Sequence, residues 1–108
     1  MKSIKYLILI LIFFPSLSLA TDLRGRIDVI HSYSTAPFPA RGANVQLLVK
    51  TQVGSRVVSS YSTGGDGMYY FQNISPGIYK LVINNVLILP LRVFNIPLQD
   101  IPPVLLKY

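Results

Sequence analysis

Short runs of alternating apolar and polar residues recur along most of the chain, and turn-forming residues separate them. In the run 43–50, Val45, Leu47 and Val49 alternate with mostly polar side chains, which is the two-residue period of a strand with one buried face. The same pattern predicts six further strands, over 23–30, 56–62, 68–72, 78–83, 86–96 (bent at Pro90) and 101–106. Seven short strands without a helical period, and with a turn signal about every eight to twelve residues, predict an all-β sandwich.

Glycine, proline and asparagine mark the predicted turns. The segment 63–67 (Thr-Gly-Gly-Asp-Gly) is a strong turn signal, because Gly and Asp tolerate positive φ. A second turn is predicted over 73–77, and a tight hairpin turn at Asn84-Asn85. The longest predicted loop runs over 31–42, where two prolines interrupt sheet pairing. Loops on a rigid sandwich are where binding residues are usually found.

The first 20 residues have the order of a secretory signal peptide. Two lysines precede an apolar run over 6–14, and the ending Ser-Leu-Ala at 18–20 is typical of a signal-peptidase site. The rival interpretation is a membrane anchor, but a helix over 6–20 would be only about 22 Å long, against a hydrocarbon core of about 30 Å. We therefore expect residues 1–20 to be removed and residues 21–108 to form one domain, with membrane contact only through the segment before cleavage.

Charge and cysteine content narrow the function classes. Residues 21–108 contain no cysteine, eight Lys or Arg, four Asp and no Glu, a net charge of +4. The absence of cysteine excludes disulfides, thiol chemistry and Cys–zinc sites, so the apolar core must hold the domain. The basic residues are scattered singly, which argues against nucleic-acid binding. Attraction to anionic polymers of the cell envelope stays open, and it would weaken with salt.

Four segments together resemble the carboxypeptidase regulatory-like domain. Residues 23–27 (Leu-Arg-Gly-Arg-Ile) resemble its opening apolar-x-Gly-x-Val strand, and residues 39–47 resemble its Pro-x-x-Gly-Ala-x-Val-x-Leu motif. Residues 63–71 resemble Thr-Asp-x-x-Gly-x-Tyr-x-Phe, and residues 73–81 resemble x-Leu-x-Pro-Gly-x-Tyr-x-Leu. The resemblance implies a seven-stranded, prealbumin-like (transthyretin-like) Greek-key β-sandwich, a carbohydrate-binding-like fold that serves as an accessory or structural domain on exported proteins.

Catalytic and metal-binding chemistry has little support in the residues. His31 is the only histidine, and the nearby Asp28 and Ser32 are weak evidence for a catalytic arrangement. Hydroxyisourate hydrolases share the transthyretin fold, but they end in Tyr-Arg-Gly-Ser and use several histidines, whereas this chain ends in Leu-Leu-Lys-Tyr. Asp66 lies in a Gly-Asp-Gly turn without the several carboxylates that calcium needs. We therefore expect no metal, no cofactor and no enzyme activity.

Three aromatic residues are the candidate ligand-binding residues. Tyr33 and Phe38 lie in the long loop, and Tyr70 faces away from the predicted core residues Tyr69 and Phe71. Exposed aromatic rings stack on sugars or anchor protein partners. The alternative is that Phe38 packs under its own loop and Tyr70 covers an edge strand.

These observations predict an exported bacterial module, periplasmic or extracellular, that acts by binding, with a glycan of the cell envelope as the leading ligand class. The alternative is an envelope assembly subunit that pairs with a protein partner, or with itself, through its edge strands. The very apolar region 86–106 motivates that alternative. A small hydrolase is the third and least supported candidate, because acid–base groups are so few.

Overall fold

The computed structural model describes residues 20–108, so the predicted signal peptide lies outside the described residues except for Ala20. The described part of the chain contains strands and no helix, and hence no helix long and apolar enough to cross a membrane. Nine strands are present: β1 (Thr21–Ile30), β2 (Phe38–Pro39), β3 (Asn44–Thr51), β4 (Gly54–Ser62), β5 (Met68–Ile74), β6 (Gly77–Ile83), β7 (Leu87–Val93), β8 (Leu98–Asp100) and β9 (Val104–Lys107).

Sheet I is built around β1, which pairs with four other strands. Val29 of β1 is paired with Phe38 of β2 and also with Leu106 of β9, so β2 and β9 lie on opposite sides of β1. Nearer the start of β1, β5 and β8 flank it in the same way. β2 and β5 run antiparallel to β1, whereas β8 and β9 run parallel to it. The parallel pairing brings the end of β9 beside the loop that follows β1.

Sheet II is antiparallel, in the order β4–β3–β6–β7. The hairpin between β6 and β7 turns at Asn84 and Asn85, whose φ angles are 52° and 58°, as the predicted tight turn requires. Pro90, where a bend was predicted, lies within a continuous β7, paired with Lys80. Since β7 is an edge strand, an amide position that faces outward needs no partner, and proline is tolerated there.

The core lies between the two sheets and is formed by alternate residues of each strand. Tyr69 and Phe71 are buried while Tyr70 between them is exposed, which confirms the predicted facing of β5. The Tyr69 ring covers Gly25 of β1, where a Cβ atom would overlap the ring. The Tyr69 hydroxyl is buried and has no hydrogen-bond partner among residues 20–108. Burial raises the pKa of Tyr69 to about 12.

The prediction of an all-β sandwich is confirmed in its coarse form, with nine strands instead of seven. One extra strand is β2, where Phe38 and Pro39 pair with β1 inside the predicted loop; two residues are too few to leave a periodic signal. The other is β8, a three-residue strand just before the predicted last strand. The turn predicted over 73–77 also begins later, because β5 continues to Ile74.

The predicted turn over 63–67 packs against β1. Gly67 has a φ of +73°, and a Cβ atom there would overlap the carbonyl oxygen of Ile27. The Ile27 amide donates a hydrogen bond to the Gly67 carbonyl oxygen at 2.9 Å. Glycine is therefore needed at position 67 both for its backbone angle and for the close approach. This contact fixes the turn beside the far end of β1, where the loop 31–37 begins.

Candidate ligand-binding site

An aromatic cluster surrounds His31 at the end of β1. The His31 ring is stacked on Tyr33, with 5.5 Å between the ring centroids and an interplanar angle of 4°. Phe38 lies 5.4 Å and Tyr108 lies 6.4 Å from the His31 ring, both in tilted geometry. We call these four residues the loop aromatic cluster. Aromatic pairs gain roughly 0.5–1.5 kcal/mol beyond the area they bury, so the cluster favours one arrangement of the loop.

Local backbone structure places two of the rings. The Ser34 amide donates to the His31 carbonyl oxygen at 2.9 Å, which closes a turn in the segment that carries Tyr33. β2 then pairs Phe38 with Val29, so that the chain returns antiparallel to β1 directly after the loop. Both ends of the loop are therefore tied to β1.

Tyr108 reaches the cluster from the other side of β1. Its amide donates to the Ile30 carbonyl oxygen at 3.0 Å, and the Ser32 amide donates to the main-chain oxygen of Tyr108 at 2.7 Å. These bonds continue the parallel pairing of β9 with β1. Three concave surfaces, of about 530, 410 and 380 Å³, all have Tyr108 in their walls. Tyr108 is thus the residue that these three surfaces share.

The largest of the three, which we call the Tyr108 groove, combines an apolar wall with a few polar side chains. Phe38 contributes to the apolar part, and the polar side chains are Arg41, Asn84 and Tyr108. The Asn84 side-chain oxygen accepts a hydrogen bond from the Asn44 amide at 2.9 Å, which fixes that side chain and leaves its nitrogen as a donor. Ligand sites in proteins generally have this form, a concave apolar surface with a small number of well-placed polar groups.

Four hydrogen bonds to Thr63 hold the turn that carries Arg41. The Thr63 hydroxyl accepts from the Ala43 amide at 2.8 Å and donates to the Ala40 carbonyl oxygen. The Thr63 carbonyl oxygen accepts from the Gly42 amide at 2.9 Å, and the Thr63 amide donates to the Ala43 carbonyl oxygen at 3.0 Å. Thr63 is buried, so water does not compete for these bonds. The backbone beneath Arg41 is therefore fixed before any ligand arrives.

Tyr70, the third predicted site residue, lies elsewhere. Tyr70 pairs with Arg24 of β1, whereas Phe38 pairs with Val29. These two positions on β1 are five residues apart, which is about 17 Å at ~3.4 Å per strand residue. Tyr70 instead packs edge-on against Tyr61 of β4, with 5.8 Å between ring centroids. The two tyrosines line a separate concave surface of about 480 Å³, together with Ser59, Ser60 and Gln72. The structure brings Tyr33 and Phe38 together and keeps Tyr70 apart from both.

All three predicted residues are exposed: the exposed fraction of the residue is 88% for Tyr33, 44% for Phe38 and 42% for Tyr70. Sequence reasoning missed Tyr108 and Arg41. A signal for Arg41 was present, since it stands before glycine in the turn of the 39–47 motif. No local signal identifies Tyr108, because only the pairing of β9 with β1 brings it to the loop.

The ionisable residues considered for catalysis or metal binding have structural partners. Asp28 forms an ion pair with Arg26, with 3.1 Å between a carboxylate oxygen and Nε. The Asp66 carboxylate accepts a hydrogen bond from the Met68 amide at 3.0 Å, which closes the turn before β5. Among residues 20–108, no group of three His, Asp or Glu side chains is placed to hold a metal ion.

Comparisons with known proteins show a likeness to a curated protein and a likeness to a solved structure. No family model matches the chain. Colossin-B of Dictyostelium discoideum is 36% identical over 62 residues, which covers 52% of this chain and 2% of Colossin-B. The crystal structure of (S)-allantoin synthase has a similar fold, with a TM-score of 0.51 and 13% sequence identity, over 87% of this chain and 44% of that one. This chain spans less than half the length of either protein.

The likeness to (S)-allantoin synthase corrects one prediction. We expected the protein not to be an enzyme, and a solved structure with a similar fold is an enzyme by its name, which contradicts that expectation. At 13% identity the likeness shows a shared fold alone. The shortage of acid–base groups in the sequence is therefore no ground for excluding catalysis on this fold.

Proposed function

We propose that the protein is an exported β-sandwich module that binds carbohydrate of the cell envelope through the loop aromatic cluster and the Tyr108 groove. One observation carries the proposal: exposed rings stand beside a groove of about 530 Å³ whose wall also offers the hydrogen-bonding side chains of Arg41 and Asn84. A sugar ring has C–H groups on its faces and hydroxyl groups around its rim. Aromatic rings match the faces of a sugar, and Arg41 and Asn84 match its rim.

Two further features support the proposal. The resemblance of residues 23–83 to the carboxypeptidase regulatory-like domain implies a carbohydrate-binding-like fold of the prealbumin-like Greek-key type. The predicted cleavage after Ala20 would leave Thr21 as the first residue, and Thr21 is the buried first residue of β1, whose hydroxyl donates to the Phe94 carbonyl oxygen at 2.6 Å. A cut at that point would leave the whole of β1 in the exported product.

The test is a binding measurement on envelope polysaccharides. The full chain, produced in a secreting host, is compared with a Tyr33→Ala/Phe38→Ala double variant by isothermal titration calorimetry. Stacking of a nucleic-acid base on an aromatic side chain contributes about 1–3 kcal/mol to binding. If a sugar ring stacked on Tyr33 or Phe38 contributes a similar free energy, the double variant should bind at least tenfold more weakly. The matched control is Tyr61→Ala/Tyr70→Ala, which also removes two exposed rings but leaves the groove intact.

Two results would refute the proposal. One is a parent protein that binds no envelope polysaccharide. The other is a loss of affinity in the Tyr61→Ala/Tyr70→Ala variant with none in the loop variant, which would place the binding surface between β4 and β5. Urea unfolding of each variant shows whether a lost affinity reflects the site or a weakened fold.

A second candidate function, strand pairing with a partner protein, is favoured by the edge strand β4. This strand has nine residues, none of them proline, and eight of the nine are exposed. Val57, Val58 and Tyr61 are apolar or aromatic residues among them, and Arg56 is the one charged residue. Long edge strands with few charges and no proline accept an added strand. The opposite edge, β7, contains Pro90, which has no N–H group to offer an added strand.

A lysine on the edge tests this candidate. Val57→Lys puts a charge on β4 and should abolish pairing, while Ile88→Lys puts the same charge on β7 and should leave pairing unchanged. Sedimentation velocity over a range of concentrations and pull-down from envelope extract are the measurements. A parent protein that stays monomeric and captures no partner would rule strand pairing out.

A further inference from the structure

Two cationic side chains lie close to Tyr108, and aspartate and glutamate side chains are absent from the same surfaces. Arg41 is in the wall of the Tyr108 groove, and Lys107 is in the walls of both neighbouring concave surfaces. His31 lines one of these neighbours. Among residues 20–108, no aspartate lines any of the three surfaces, and the chain has no glutamate. A ligand held there meets the cationic side chains of Arg41 and Lys107, with no aspartate or glutamate side chain beside them.

The four aspartates have partners elsewhere. Two of them form ion pairs with arginines of β1, and two accept hydrogen bonds from backbone amides. The pairs are Asp28 with Arg26 at 3.1 Å, Asp100 with Arg24 at 2.7 Å, Asp22 with the Asn73 amide at 3.0 Å and Asp66 with the Met68 amide at 3.0 Å. The guanidinium of Arg24 also holds the pKa of Asp100 below its usual value. The aspartates of the described domain are thus used by the fold, and none of them pairs with Arg41.

Arg41 is well placed to recognise an anion. Its turn is fixed by the four hydrogen bonds to Thr63, so a ligand does not have to order the backbone beneath it. A guanidinium presents two parallel N–H donors that match the two oxygens of a carboxylate. The rings of Phe38 and Tyr108 lie in the wall of the same groove. An acidic sugar has the carboxylate and the ring face that this combination would bind.

We infer that the ligand of the Tyr108 groove is an acidic polysaccharide, whose carboxylate is bound by Arg41 while a sugar ring packs on the neighbouring aromatic side chains. This inference rests on the proposed carbohydrate-binding function and narrows it to one chemical class. Lys107 adds attraction along the polymer without being required for the bidentate contact.

The test compares two polymers with the same backbone. Polygalacturonic acid carries a free carboxylate on each sugar, and its fully methyl-esterified form carries none. Binding of the full chain to each is measured by isothermal titration calorimetry at 50 and 300 mM NaCl. We expect binding of the acid form to be at least tenfold tighter and to weaken at the higher salt concentration. Arg41→Gln should lower the affinity for the acid form at least tenfold, because a hydrogen bond to a charged group contributes a free energy of that size.

The control variant is Arg56→Gln, which removes the same charge from β4. It should keep parental affinity, and an equal loss in both variants would overturn the inference, because binding would then follow net charge alone. Equal binding of the two polymers would also overturn it while leaving the proposed function standing. If the protein binds a neutral envelope glycan but neither of these polymers, the inference of an acidic ligand is wrong and the proposed carbohydrate binding stands. If it binds no glycan at all, both the inference and the proposed function are wrong.

Discussion

Replacing Thr63 with valine tests whether its hydroxyl holds the turn beneath Arg41. Valine has nearly the same shape as threonine, so packing is preserved while one donor and one acceptor are lost. The Ala43 amide and the Ala40 carbonyl oxygen, both in buried residues, lose their side-chain partner. The two main-chain bonds between Thr63 and the turn stay in place. The variant therefore isolates the contribution of one hydroxyl group.

The expected loss follows from those two groups. A buried polar group left without its partner costs about 1–3 kcal/mol, so the two groups together should lower the free energy of unfolding of Thr63→Val by roughly 2–6 kcal/mol. Domains are typically stable by only about 5–15 kcal/mol, so this is a large fraction of the total. With a urea dependence of about 2 kcal/mol per molar, the middle of the usual range, the midpoint of unfolding should fall by about 1–3 M.

Urea unfolding followed by far-UV circular dichroism is the assay, and Thr63→Ser is the control. Serine keeps the hydroxyl, so its midpoint should stay close to that of the parent protein. The argument also predicts weaker ligand binding by folded Thr63→Val, since the Arg41 turn is less fixed. A valine variant that unfolds within about 0.5 M urea of the serine variant would show that the hydroxyl does not hold the turn.

Three further outcomes are expected. Burial raises the pKa of Tyr69 from 10.0 to about 12, so the folded protein holds the phenol proton more tightly than the unfolded chain. The free energy of unfolding therefore keeps its full Tyr69 contribution below pH 10 and loses it as pH rises through 12. At about 1.4 kcal/mol per pH unit, that loss is about 3 kcal/mol. Alkaline urea titrations should show that loss in the parent and not in Tyr69→Phe. Gly67→Ala should lower the free energy of unfolding by at least about 2 kcal/mol, since alanine at positive φ alone costs roughly 1–2 kcal/mol. Gly65→Ala, where nothing lies within 4 Å, should change it by less than about 0.5 kcal/mol, and thermal melts compare the two. Mass spectrometry of exported protein should find Thr21 as the first residue, and an intact N-terminus would support the membrane anchor.

The fold was predictable where neighbouring residues decide the structure. Alternation in 43–50 and 68–72, and the Asn84-Asn85 turn, are local patterns, and the strands and the hairpin appeared where they were expected. The pairing of β8 and β9 with β1 was not predictable, because it joins segments more than 70 residues apart and leaves no periodic trace. The same holds for β2, which is defined by its partner rather than by its two residues.

The candidate site was predictable in part. Tyr33 and Phe38 were identified as exposed loop aromatics, and they are exposed and close to the same histidine ring. The sequence did not show that Tyr70 would lie beside Arg24, near the start of β1, since the register of β5 decides that. Tyr108 and Arg41 join the site through β9 pairing and through Thr63, both of them long-range contacts.

The parallel pairing of β9 with β1 bears on when the domain can fold. β1 is the first strand of the described domain to leave the ribosome and β9 is the last, so sheet I cannot close until the whole domain has been synthesised. Closing so long a stretch of chain delays folding, and all-β domains with distant pairings fold in milliseconds to seconds. Sheet I therefore stays unfinished for as long as synthesis of the domain continues, and the site around Tyr108 is completed last.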